Sequence, residues 1–102
     1  MIRVLAFIVA KPGLRERLLE IFKANVPAVL KEEGCLEYSP TIDVAQMGSF
    51  QAMTGADTFV VIETWASEAA LKAHSTAPHM IAYGERAKDM IASRAIHVLR
   101  SA

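Results

Sequence analysis

Two short segments of this chain are apolar at most positions, and they constrain the fold more than any other feature. Residues 2–10 (IRVLAFIVA) and 57–65 (DTFVVIETW) are rich in β-branched and aromatic residues, which favour strands. Because successive side chains of a strand point to opposite faces, each of these strands is apolar on both faces. The pattern therefore predicts two strands in the centre of a sheet, with both faces of that sheet covered.

The segment between these strands predicts one long helix and an edge strand. Residues 11–34 place apolar side chains at helical spacing, with Pro27 on the polar side, where it should bend the helix, and Gly34 at its end. Residues 35–44 alternate apolar and polar side chains, as in a strand with one buried face. Because Pro40 cannot donate a hydrogen bond to a neighbouring strand, this strand should lie at an edge or contain a bulge.

The rest of the chain predicts a long connection, two short helical pieces and a last strand. Residues 45–56 carry no charged side chain and link two strands. Ser67 is a plausible N-cap for a short helix that ends at His74, and Pro78 suits the first turn of a further helix. Residues 94–100 (RAIHVLR) have the composition of a final strand.

The resulting order, β-α-β-β-α-β, predicts the architecture. It is typical of an α+β, ferredoxin-like subunit with an antiparallel four-stranded sheet, here in one domain over residues 1–102. This plan places residues 2–10 and 57–65 in the centre of the sheet, in agreement with their apolar pattern. The helices can cover only one face, and the other face is too apolar to remain in water. We therefore expect a second copy to pack there, sheet against sheet, as a homodimer.

Composition and charge exclude several classes of partner. Eleven basic residues balance eleven acidic ones, which gives no electrostatic case for nucleic acid or an anionic membrane. The single cysteine, Cys35, excludes an internal disulfide and fits a reducing, cytoplasmic compartment. The apolar run at 4–10 is far too short to span a membrane. These observations favour a globular protein whose partners are small molecules or copies of itself.

Common metal and nucleophile motifs are missing from the sequence. His74 and His79 lie five positions apart across Pro78, which is not the spacing of one helix face, and there is no HExxH motif or cysteine pair. No metal is therefore expected. Cys35 follows a glycine at the start of a strand, and a small buried thiol is the favoured interpretation over a nucleophile.

One group of polar side chains is predicted to share an apolar layer. Glu63 and Trp65 point to the same face of their strand, and His74 lies on the inner side of the following helix. Tyr38 and Tyr83 are phenols on neighbouring elements. Each residue alone could simply pack in the core, and the glutamate could instead pair across a dimer. Together they fit an apolar pocket for a flat aromatic ligand.

The sequence also resembles a known family. The segments VPAVLKEEGCLEYSPTIDV, GSFQAM, VIETWAS and LKAHSTAPHM are similar to the antibiotic biosynthesis monooxygenase family, and most closely to its small bacterial quinol monooxygenases. The resemblance implies a dimeric α+β barrel and an oxygenase without a metal or organic cofactor. It places Glu63, Trp65, His74 and His79 in or beside the pocket. Haem-degrading relatives need an asparagine on the first strand, where this chain has Leu5-Ala6-Phe7, so haem degradation is disfavoured.

These considerations predict a cofactor-independent oxygenation of a small aromatic hydroquinone by O₂. His74 is the candidate base, Glu63 would orient it if it reaches the imidazole, and His79 is a second candidate for base or hydroxyl contact. The expected walls of the substrate site are aromatic: Trp65, Tyr38, Tyr83 and Phe50.

Two other functions remain open from the sequence. One is an isomerase of a small carbonyl compound, which would need a basic group in the pocket if its substrate were phosphorylated. The other is a dimeric quinone-binding protein without turnover. Residues 45–56 are expected either to close over the pocket or to cross to the partner subunit.

Overall fold

A single antiparallel sheet with helices on one face forms the framework of the molecule. The computed structural model describes residues 1–102, and the sheet order is β2-β3-β1-β4. The elements are β1 (Ile2–Ala10), α1 (Arg15–Leu30), β2 (Cys35–Thr41), β3 (Thr58–Trp65), α2 (Glu68–Ser75), α3 (Pro78–Ala87), a 3-10 turn (Lys88–Met90) and β4 (Ile91–Leu99). The predicted ferredoxin-like α+β fold, with the two most apolar strands in the centre, is confirmed.

Strand register decides which side chains face the helices. Val4 on β1 lies opposite Glu63 on β3, and Tyr38 on β2 lies opposite Glu63 from the other side. Ile8 lies opposite Arg94 on β4. All of these side chains belong to the face on which the three helices pack. The core is built there, between the alternate residues of β1 and β3 and the apolar side of α1.

Several predicted boundaries are wrong by a few residues. Helix α1 ends at Leu30, before Gly34, because the chain turns through residues 31–34 before β2 begins. Gly34 has a left-handed conformation (φ +82°), as predicted for a glycine at this turn. Strand β2 ends at Thr41 rather than at residue 44.

Gly34 also lies very close to another part of the chain. A Cβ atom at this position would lie 2.6 Å from the Cβ of Ala70 on α2. The backbone of Gly34 also accepts a hydrogen bond from the amide of Ala66, at 2.8 Å. The turn after α1 and the start of α2 are therefore packed together at a distance that only glycine permits.

The connection between β2 and β3 is anchored by one carboxylate. Asp43 accepts hydrogen bonds from the amides of Thr54 and Gly55 and from the Thr54 hydroxyl, at 2.8–3.0 Å. These bonds hold the pKa of Asp43 below its ordinary value. Between these anchors the loop is exposed, and Phe50 at its tip is 81% exposed.

The second face of the sheet is apolar and only partly covered within one chain. Leu5, Phe7 and Val9 of β1 and Val60 and Ile62 of β3 point to this face, and they are half-buried or exposed. The alternate residues of the same strands are buried under the helices. None of the helices combines the length and the hydrophobicity that a membrane-spanning segment requires. The homodimer expected on the second face stays a prediction.

Candidate active site

A cavity of about 390 Å³ lies between the sheet and helices α2 and α3. Twelve of its 17 lining residues are hydrophobic when Tyr38 and Tyr83 are counted among them, which suits a small apolar or aromatic ligand. The polar and charged side chains on its wall come from five elements: Tyr38, Glu63, Lys72, His74, Ser75, Tyr83 and Arg94. A few polar groups around an apolar space are the usual composition of a small-molecule site.

Glu63 is held by its neighbour on the same strand. The indole Nε1 of Trp65 donates a hydrogen bond to Glu63 Oε1 at 2.9 Å, and both side chains are buried. Residues two apart on a strand point the same way, which is why this pair forms locally. Burial raises the pKa of Glu63 above its ordinary value, although the indole hydrogen bond and the nearby His74 oppose that shift.

His74 is held by a carboxylate that lies outside the wall of this cavity. Its Nδ1 lies 2.9 Å from Glu32 Oε2, and Nε2 of His79 lies 2.7 Å from the same oxygen. An ionised carboxylate only accepts hydrogen bonds, so each of these nitrogens carries a proton. In the neutral imidazole of His74, the lone pair is therefore on Nε2.

The Nε2 atom of His74 is open to the cavity. This atom has no hydrogen-bond partner in the protein. Because every fully buried side-chain nitrogen and oxygen of the molecule does have a partner, the Nε2 atom is not fully buried. Since His74 lines the cavity, its unpartnered Nε2 is the atom that a ligand can reach. The same reasoning applies to the hydroxyls of Tyr38 and Tyr83, which also lack a protein partner.

Aromatic rings fix the plane of the imidazole. The centroid of the His74 ring lies 4.6 Å from that of Trp65 and 5.4 Å from that of Tyr38. Tyr38 in turn stacks on Phe22 of α1, with an interplanar angle of 14°. Burial and the Glu63 carboxylate raise the pKa of Tyr38, and burial raises the pKa of Tyr83 to about 12. Both phenols therefore stay protonated at neutral pH and can donate hydrogen bonds.

The local sequence explains how α2 presents His74. The Ser67 hydroxyl accepts a hydrogen bond from the amide of Ala70 at 3.1 Å, which confirms Ser67 as the N-cap. His74 follows one turn after Ala70, on the same side of the helix. Pro78 begins α3 as predicted, and it brings His79 to the first turn of that helix, beside Glu32.

The structure brings together most of the site residues predicted from the sequence. Tyr38, Glu63, His74 and Tyr83 line one cavity, and Trp65 lies directly behind the imidazole. Glu63 does not hydrogen-bond to His74, and the carboxylate that does so is that of Glu32.

Three predicted residues lie outside the cavity wall: Trp65, which was expected to be a wall but lies behind His74, and also His79 and Phe50. The ring of His79 contacts the Glu32 carboxylate and does not line the cavity. Phe50 lies at the exposed tip of the loop between β2 and β3, so within one chain it is not a wall of the site.

Three residues of the site were missed by reasoning from the sequence. Glu32 follows the end of α1 in a Lys-Glu-Glu run, and nothing in the pattern separates it from its neighbour Glu33. Arg94 was assigned to a strand end, but β4 begins three residues earlier, so Arg94 faces the cavity opposite Ile8. Lys72 lies on the same helix as His74, and neither it nor Arg94 forms an ion pair within the chain. No group of three His, Cys, Asp or Glu side chains has a geometry suited to a metal ion.

Comparison with known proteins gives a consistent family match. The family model described as antibiotic biosynthesis monooxygenase matches residues 1–86. The chain is 44% identical over 102 residues to the Escherichia coli (strain K12) protein named "Probable quinol monooxygenase YgiN", covering 98% of this chain and 97% of that protein.

Solved structures share the fold. The crystal structure of PA3566 from Pseudomonas aeruginosa is 27% identical, with a TM-score of 0.80 over 99% of this chain and 94% of that one. A conserved protein from Methanosarcina mazei Go1 superposes with a TM-score of 0.83 at 22% identity, over 99% of this chain and 92% of that one. The predicted architecture is thus found in proteins with quite different sequences.

Proposed function

This chain belongs to the antibiotic biosynthesis monooxygenase family, and from that premise we propose that it oxygenates a small aromatic hydroquinone without a metal or organic cofactor. The family and the relative named as a quinol monooxygenase support an oxygenase. The observation that carries the proposal within this molecule is the imidazole of His74. Its Nδ1 is held by a carboxylate, and its Nε2 opens onto an apolar cavity.

The reaction balances without any other reductant. A hydroquinone and one O₂ give a hydroxyquinone and one water: one oxygen atom enters the ring and the other leaves as water. The four electrons that O₂ accepts come from the two hydroxyl groups and from the ring C–H bond that becomes C–OH. The protein therefore needs only to bind the ring, remove a hydroxyl proton and exclude bulk water.

His74 is the group placed to remove that proton. Imidazole is the side chain whose ordinary pKa lies nearest neutrality, and its Nε2 lone pair faces the ligand space. The anion formed from the hydroquinone donates electrons to O₂ more readily than the neutral diol does. Tyr38 and Tyr83, both protonated at neutral pH, can donate hydrogen bonds to the second oxygen of the ring.

The test is oxygen uptake with a freshly reduced naphthoquinol in the presence of catalase. We expect His74→Ala to lower the rate by a large part of the about 10²–10⁴-fold that a general base supplies. Glu68→Gln, an exposed change on the same helix outside the cavity, is the matched control and should keep the rate. Wild-type uptake no faster than autoxidation would refute the proposal, and ligand-induced stabilisation without uptake would indicate a binding protein instead.

A second candidate function has one specific observation in its favour. Lys72 and Arg94 line the cavity without ion-pair partners, and they supply the basic groups that a phosphorylated carbonyl substrate would need. An isomerase of this kind turns over without O₂. Conversion of a phosphorylated hydroxyketone under anaerobic conditions would therefore favour the isomerase, and its absence would favour the oxygenase.

We further propose that two chains pair through the second face of the sheet. Leu5, Phe7, Val60 and Ile62 leave an apolar layer partly exposed in one chain, and a second copy would cover it. Sedimentation should give the mass of a dimer, and Ile62→Lys should produce monomers. Ile81→Lys, an exposed change on α3, should leave the mass unchanged. A monomeric wild type would refute this assembly.

A further inference from the structure

We propose that Glu32 is a positioning residue for His74, because a single oxygen of its carboxylate fixes both the tautomer and the orientation of the imidazole. This inference rests on the proposed function, in which His74 is the base. Glu32 does not line the cavity and would not touch the substrate. Its effect on the reaction passes entirely through the hydrogen bond to His74 Nδ1, at 2.9 Å.

The carboxylate of Glu32 is well placed for this function because it is shielded from water. Its side chain is 12% exposed, and the side chain of His74 is 8% exposed. An exposed ion pair contributes little to stability, because water and salt screen the charges and both side chains stay mobile. A largely buried hydrogen bond to a charged acceptor is stronger and holds a narrower geometry.

Tautomer choice is the chemical consequence of this hydrogen bond. A free neutral imidazole exchanges its proton between the two nitrogens, and only the form with a lone pair on Nε2 can accept a proton from the cavity. Glu32 accepts the Nδ1 proton and therefore favours that form. When Nε2 takes a proton, the imidazolium is stabilised by the adjacent negative charge.

His79 completes the arrangement from the solvent side. Its Nε2 lies 2.7 Å from the same Glu32 oxygen, and its side chain is 28% exposed. Glu32 is located on the turn after α1, His74 on α2 and His79 at the start of α3. Two donors from two helices thus hold one carboxylate oxygen, which limits the rotation of the Glu32 side chain. His79 therefore acts in positioning rather than in proton removal.

Glu63 does not serve this purpose. Its Oε1 is occupied by the Trp65 indole, and burial raises its pKa, which weakens it as a permanent negative charge. Glu32 is the only carboxylate that hydrogen-bonds to either of the two histidines. The two glutamates therefore have separate partners and separate effects on the site.

The first experiment reads the tautomer directly. Nitrogen-15 NMR of the histidine rings, at a pH well above the titration of imidazole, should show His74 protonated on Nδ1 in the wild type. Glu32→Gln keeps the shape of the side chain but removes the charge, so its amide oxygen holds the Nδ1 proton less strongly, and its NH2 group can instead donate to an unprotonated Nδ1. The variant should shift His74 toward the Nε2–H form. Glu33→Gln, an exposed change on the adjacent residue, should leave the spectrum unchanged.

The second experiment measures turnover of the quinol. Glu32→Gln should lower kcat by about 10-fold or more, a part of the about 10²–10⁴-fold due to the base itself, with little change in KM. Glu33→Gln should keep both constants. Thermal unfolding of each variant shows whether the fold is intact. If Glu32→Gln does not fold, the protonated nitrogen of His74 in the wild type is the observation that tests the assignment of Glu32.

The outcomes separate this inference from the proposed function. A wild-type His74 protonated on Nε2, or a Glu32→Gln variant with an unchanged tautomer and unchanged kcat, would overturn the assignment of Glu32. If the tautomer responds to Glu32→Gln as expected but the wild type consumes no oxygen with any quinol, the assignment stands as a property of the site. In that case the proposed reaction is the part that fails.

Discussion

Replacing Gly34 by alanine tests the tightest contact in the fold. The new Cβ would lie 2.6 Å from the Cβ of Ala70, well inside van der Waals contact, so α2 or the turn must move. Overpacking of this kind costs about 1–3 kcal/mol. The left-handed conformation at φ +82° costs an alanine about 1–2 kcal/mol more. The lower entropy of the unfolded alanine chain offsets about 0.4–1 kcal/mol of this.

The net expected loss for Gly34→Ala is about 1–5 kcal/mol in the free energy of unfolding. For a domain of this size, each kcal/mol lowers Tm by about 4–8 °C, so a loss in the middle of this range, about 3 kcal/mol, should lower Tm by about 12–24 °C. Urea unfolding measures the free energy and thermal unfolding measures Tm. Because Ala70 precedes His74 by one helical turn, a displaced α2 should also lower turnover.

A double variant separates the steric cost from the backbone cost. Ala70→Gly removes the atom that Gly34→Ala would clash with, but it leaves the left-handed conformation in place. On its own, Ala70→Gly should cost about 1 kcal/mol, as a glycine within a helix. Combined with Gly34→Ala it should show a favourable coupling of about 1–3 kcal/mol. A loss below about 1 kcal/mol for Gly34→Ala, or no coupling, would refute this account of the turn.

Two further predictions concern ionisable groups. Burial raises the pKa of Glu63 above its ordinary 4.5, so the wild type should lose stability as the pH rises from 4.5 through the raised value. In Glu63→Gln the side chain can still accept a hydrogen bond from Trp65, but it cannot become charged. Thermal unfolding should therefore give this variant a higher Tm than the wild type at pH 7 but not at pH 4. An equal difference in Tm at the two pH values would contradict the burial argument. The pKa of Asp43 is lowered from its ordinary value of 3.8. Its contribution to the stability of the fold should therefore be present above pH 3.8 and be lost as the pH falls through the lowered pKa. Asp43→Ala should speed hydrogen exchange at the amides of Thr54 and Gly55, and unchanged exchange would show that the carboxylate does not anchor the loop.

The sheet was predictable because its signal is local and repeated. Apolar residues on both faces of 2–10 and 57–65 mark the central strands. Ser67 marks a helix start by its capping hydroxyl, and Pro78 marks one by its fixed φ angle. Boundaries were less predictable where the signal is weak. Nothing between Leu30 and Gly34 shows where the helix hydrogen bonds stop.

The site was only partly predictable because it depends on contacts between distant parts of the chain. Alternation placed Glu63 and Trp65 on one strand face, but it could not show that this face meets the helices. Glu32 and His74 are 42 positions apart, and their contact depends on the turn at Gly34. A charged residue after a helix usually lies in solvent, so no local pattern identified Glu32.

Trp65 also makes the site observable by fluorescence. It is the only tryptophan of the chain, it is fully buried, and its ring lies 4.6 Å from that of His74. Its emission therefore comes from one environment, bounded by the Glu63 carboxyl and the imidazole. Protonation of the imidazole, occupation of the cavity and loss of the fold should each change intensity or wavelength in a different way. The protein thus contains an intrinsic optical probe beside its own candidate base, and no label is needed to follow ligand binding in real time.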